Sequence, residues 1–196
     1  MLLQLLGLSA GIVSLIGYPF YIRDIFWGTT RPERASWFIR SLLSLITFFT
    51  QYFEGATNSL WLAGAQMVGV LIIFFCSLRK GVGGFTKRDV FGLTVALIGL
   101  VMWYLTRHAA IALLLALFVD AVGTALTIPK AYHDPESETL FTWGIDCVAG
   151  VLAGLAVGTL NPILLVYPAY IFVSNGATAL AIVLGKRRQL TLKSLA

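Results

Sequence analysis

Asp120, Thr124 and Thr127 recur at the i, i+4, i+7 spacing of one helix face inside an otherwise apolar run. A carboxylate at the centre of such a run costs about 2.5–3.5 kcal/mol to place in lipid, so it is expected to face a bundle interior or water. A carboxyl group there could hand a proton to a passing solute or hold a cationic or polar group. The structural alternative is an Asp that hydrogen-bonds a neighbouring helix. Asp146 is the second acid in an apolar segment. It shares a face with Gly150 and Ala153, on a ridge continued by Gly154 and Gly158, so a tight helix contact is expected there. It reads equally as a gate or ion pair, with Arg40 or Lys130 as the partner, and as a plain structural anchor.

Tyr170, Ser174 and Asn175 add hydrogen-bonding capacity to the last apolar run, and Pro168 frees a carbonyl within it. Tyr167 reads equally as wall or as interfacial anchor. Ser14, Tyr18 and Tyr21 share a face of the first run, followed by Gln51, Trp61 and Gln66. The candidate pathway is thus Asp120, Thr124, Asn175, Tyr170, Gln66 and Asp146, with most of it in the second half of the chain. Trp27, Trp37 and Trp61 read as interfacial belt residues. Glu33 and Glu136 stand near helix starts, where a carboxylate favours the dipole. Cys76 and Cys147 lie in apolar runs and read as packing residues.

The elements that must position these groups are seven apolar helices. They are expected at about Leu2–Ile22, Ser36–Ala56, Ser59–Leu78, Asp89–Thr106, Ala109–Ile128, Thr139–Val157 and Pro162–Leu184. Pro32, Pro135 and Pro162 sit at or before helix starts, while Gly81, Gly83 and Gly84 break the chain. Hydrophobic residues make up 58% of the chain and charged residues 12%. That is about half the charge of a soluble domain. The net charge of +5 has a topological explanation. Of the 14 Lys and Arg residues, all but Arg107 fall on one side if the chain crosses a bilayer seven times. Basic residues stay cytoplasmic, which places the N-terminus outside and the C-terminus inside, in the plasma (inner) membrane. The first run has no Lys or Arg before Arg23 and reads as a retained span, not a signal peptide. No basic face on a soluble fold suggests nucleic acid. The absence of a Walker loop, a His-rich metal cluster or a Ser-His-Asp set argues against an enzyme, and no cofactor or metal is implied.

A gapless shift that lays Pro32-Glu33 on Pro135-Glu136 also lays Phe38 on Phe141, Gly55 on Gly158 and Asn58 on Asn161. Helices 1–3 and 5–7 therefore read as two copies of one unit. The single connector between them makes the copies parallel about an axis along the membrane normal. The expected division is residues 1–80 for the first repeat, 81–108 for the linker helix, 109–188 for the second repeat and 189–196 for a cytoplasmic tail.

This plan resembles the SWEET/PQ-loop superfamily of seven-helix transporters. Pro19, Arg23, Gly28 and Ser36-Trp37 are similar to the family's run of inner-end proline, basic residue, glycine and serine, and Pro129-Lys130 stands in the comparable place. The Pro-Gln pair itself is missing: Phe20 follows Pro19 and Lys130 follows Pro129. The family's paired Asn has one counterpart in Asn175, whose repeat mate is Ile72. The resemblance implies alternating access by two rocking three-helix bundles, a small polar solute such as a sugar or amino acid, and Pro19 and Pro129 as hinges near the inner gate. A receptor or assembly factor with the same fold, binding a partner or anionic lipid, is the alternative. The Gly150–Gly158 ridge would permit a homo-oligomer.

Overall fold

The computed structural model describes residues 1–28, 32, 34–81, 87–106 and 108–195. Glu33, Gly83, Gly84 and Arg107, singled out above, lie outside the described residues, as do the side chains of Ser36 and Asp89. The described residues form seven α-helices and no strand: α1 Leu2–Trp27, α2 Arg34–Phe53, α3 Leu60–Lys80, α4 Lys87–Thr106, α5 Ala109–His133, α6 Leu140–Ala156 and α7 Pro162–Leu195. A 3₁₀ turn over Pro135–Ser137 precedes α6. Among the described residues, three helices are long and apolar enough to cross a membrane: Leu2–Trp27, Leu60–Lys80 and Pro162–Thr191.

The ends that carry the basic residues differ from expectation. Helix α1 continues past Ile22 to Trp27, α5 past Ile128 to His133, and α7 past Leu184 to Leu195. The apolar pattern stops before each of these turns, but the backbone ladder does not. Both α1 and α5 run on through their prolines, Pro19 and Pro129. Each proline removes one N–H from the ladder, which a long, packed helix can absorb. Helix α1 ends on Gly28, whose left-handed φ of 77° lets its N–H cap the Asp24 and Ile25 carbonyls.

The helices close into a ring. Helix α3 packs against both α1 and α2, and α7 packs against both α5 and α6. The two triplets meet along α1–α6 and α2–α5, so the order round the ring is α1, α3, α2, α5, α7, α6. Exchanging α1, α2 and α3 for α5, α6 and α7 leaves this set of neighbours unchanged. Helix α4 stands outside the ring against α5 and α2.

The end with Met1 is called outer here and the basic end inner. An apolar cluster of Ala10, Leu62, Leu113, Ala149, Ala153 and Tyr167 fills the outer end. Gln51, 2% exposed, ties α2 to the start of α7 there through Nε2 to the Ile163 carbonyl (3.1 Å). Ile39, Leu43 and Ile46 of α2 pack on Ala112, Ala116 and Val119 of α5 along one seam. Large apolar side chains such as Leu15, Phe118, Val148 and Val173 are exposed on the outside of the helices. An apolar exterior of this extent is what lipid accepts and water does not.

Candidate functional site

Inside the ring, between the midpoint of the helices and the inner end, lies a cavity of about 470 Å³. Volumes of roughly 300–1,000 Å³ are typical of small-molecule pockets. The six candidate pathway residues, Gln66, Asp120, Thr124, Asp146, Tyr170 and Asn175, all line it. Pro19 and Pro129 do not; both are exposed at the inner ends of α1 and α5.

One wall is built by α2, α5 and α7. Arg40 Nη1 donates to Asp120 Oδ1 at 3.2 Å, and Tyr170 Oη donates to Asp120 Oδ2 at 2.6 Å. Thr124 Oγ1 stands 3.4 Å from the same tyrosine oxygen. The ion pair expected between Arg40 and Asp146 is therefore formed with Asp120 instead. Arg40 projects from α2 across the α2–α5 seam, and Asp120 is the carboxylate on that seam. Arg40, Ser44 and Thr47 repeat on α2 the spacing of Asp120, Thr124 and Thr127 on α5, and all six line the cavity. That second stripe was legible in the sequence and was missed because Arg40 was read as a topological charge and a partner for Asp146, without Ser44 and Thr47 on the same face.

The opposite wall comes from α1, α3 and α6. Tyr18 Oη donates to Gln66 Oε1; Gln66 Nε2 donates to Ser14 Oγ (3.0 Å); Ser14 Oγ donates to Asp146 Oδ1 (2.8 Å). Gly69 makes this possible. The Tyr18 ring lies directly on it, in the space a Cβ would occupy. Gly17 faces Thr142 across the α1–α6 seam, where a Cβ would stand in ordinary contact, 3.4 Å from Thr142 Cγ2.

At the inner end Glu138 joins two helices. It accepts from Lys130 Nζ on α5 (3.1 Å) and from Trp143 Nε1 on α6 (3.1 Å). Lys130 is thus committed to Glu138, not to Asp146. Tyr21 and Trp37 face each other at 5.3 Å between ring centres on the other side of this mouth. Trp37 therefore lines the cavity instead of serving only the interfacial belt. Trp27 and Trp61 remain exposed outside, at 70% and 55%. Tyr167, 6% exposed, belongs to the cavity wall as well.

The first half of the chain contributes Ser14, Tyr18, Arg40 and Gln66 to the lining, but the larger share of the polar side chains, and four of the five charged ones, come from the second half. The glycine ridge of α6 is used inside the chain: a Cβ at Gly150 would lie 2.7 Å from the Phe172 nitrogen, and Gly154 faces Pro168. Cys76 and Cys147 are both free thiols.

The fold and cavity define a helical protein with an apolar exterior and a charged interior. No protein-family model, curated protein or solved structure matches the chain.

Proposed function

We propose that this chain is a small membrane transporter of seven spans that moves a small polar solute, of sugar or amino-acid size, by alternating access. The observation that carries this reading is the cavity of about 470 Å³, charged and hydroxyl-lined by both halves of the chain, inside a ring whose outer face is apolar. A purely structural bundle would fill that space with side chains. The cavity stops at the apolar outer plug and reaches the exposed Lys130 at the inner end, the arrangement of an inward-facing state. The interchangeable neighbour relations of α1–α3 and α5–α7 favour two parallel repeats with α4 as linker, the plan of the SWEET/PQ-loop transporters. Residues 1–80 and 109–188 would then rock against each other along the α1–α6 and α2–α5 seams. The Arg40–Asp120 pair spans one seam, so protonation of Asp120 would loosen the two halves, which is a route to proton coupling. Pro19 and Pro129 would give α1 and α5 compliance at the inner gate.

Solute uptake into proteoliposomes is the test. Wild-type protein takes up at least one small polar solute, and Asp120→Asn, at equal incorporation, abolishes uptake. Unchanged uptake in that variant removes Asp120 from the mechanism. A protein that binds a partner protein or anionic vesicles tightly and moves no solute is a receptor of the same fold.

A further inference from the structure

Resting on the transporter reading above, we propose that the solute carries a primary ammonium group and that Asp146 is its recognition point. The cavity's charges can be accounted for one by one. Its charged lining residues are Arg40, Asp120, Lys130, Glu138 and Asp146. Arg40 pairs with Asp120 at 3.2 Å and Lys130 pairs with Glu138 at 3.1 Å. Asp146 is left over. No Lys or Arg among the described residues pairs with it; its partners are the neutral Ser14 and Gln66. The cavity thus holds one carboxylate in excess, on a residue only 9% exposed. A buried carboxylate without a counter-charge is costly, and a bound cation removes that cost.

Spare accepting atoms line the same cavity from α7 and α6. Asn175 spends its Nδ2 on the Ile171 carbonyl (2.8 Å) and on Ser174 Oγ (3.4 Å), which leaves Oδ1 as an unused acceptor. Thr142 Oγ1, one turn before Asp146 on α6, is buried without a hydrogen-bond partner. An ammonium group offers three donors and accepts nothing, so it matches an unpaired carboxylate and spare acceptors in one cavity. Tyr18 and Tyr167 line the same cavity, and tyrosine rings attract cations. Arg40 keeps N–H groups beyond the one that holds Asp120, on the far wall. They suit an acceptor at the other end of the solute.

The test uses four two-carbon probes at equal concentration: ethanolamine and glycine, which carry an ammonium group, and ethylene glycol and glycolate, which do not. Binding is read as a rise in the thermal unfolding midpoint of the full-length purified protein. Transport is read as uptake into proteoliposomes. An ammonium-bearing probe raises the midpoint, while the other two leave it unchanged. Asp146→Asn weakens ammonium binding by about 10-fold or more, the usual loss for a hydrogen bond to a charged group. If Asp146→Asn does not fold, the ranking of the four probes on the wild-type protein still decides the matter. Preference for ethylene glycol or glycolate, or no response to any of the four, overturns the proposal. Uptake of a neutral or anionic solute overturns it and leaves the transporter reading standing. Binding of ammonium without uptake supports the site and removes transport.

Discussion

Asp120 and Asp146 are both acids in apolar helices of the second half, and both line one cavity, yet they meet opposite partners. Asp120 faces an arginine from α2 and a tyrosine hydroxyl from α7. Asp146 faces a chain of neutral groups from α1 and α3. The local sequences do not foretell this. What a buried charge meets is decided by the helix across the seam: α2 brings Arg40 to α5, whereas α1 brings only Ser14 and Tyr18 to α6. One carboxylate is thereby neutralised within the protein and the other is kept for something the protein does not supply.

The difference can be broken from the Asp120 side first. Arg40→Leu strands Asp120 and is expected to cost about 3 kcal/mol, the low end for a buried pair because both partners keep some contact with water. Chemical denaturation measures it, and the matched Arg40→Leu/Asp120→Leu variant should recover most of the loss. A double variant as unstable as the single one would mean that Arg40 matters for packing, not for charge. On the Asp146 side the largest effect is expected from Gly69→Ala. Its Cβ displaces the Tyr18 ring, and such overpacking costs about 2 kcal/mol. The same variant should uncouple Gln66 from Tyr18, so a stability equal to wild type would show that the Tyr18 ring is free to move aside. Tyr170→Phe removes one hydrogen bond to Asp120 and is expected to cost about 1.5 kcal/mol, visible as a lower denaturation midpoint. Asp146→Asn should change stability by less than about 0.5 kcal/mol, since the amide keeps the Ser14 bond and removes an uncompensated charge. A large loss there would place a hidden cation against Asp146.

Much of this architecture was legible in the chain. The seven helices follow from apolar runs punctuated by Gly55, Pro135, Gly158 and Pro162, and the Asp120–Thr124–Thr127 stripe follows from helical spacing alone. The inner ends of α1, α5 and α7 were not legible, because charged turns end the apolar pattern without ending the hydrogen-bond ladder. Nor was the partner of Arg40. Arg40 and Asp120 are distant in sequence, and only the α2–α5 seam brings them together. The burial of the α6 glycines against α7 was equally hidden, since a small-residue ridge looks the same whether its partner lies within the chain or in another copy.

The central claim is that solute crosses through the space between the two carboxylate walls. Uptake into proteoliposomes by the Arg40→Leu/Asp120→Leu variant tests it most directly, because this variant keeps the fold while making one wall apolar. The account predicts saturable uptake by the wild-type protein and none by the variant at equal incorporation. Equal uptake by both, or no saturable uptake of any small polar solute by the wild type, would contradict it.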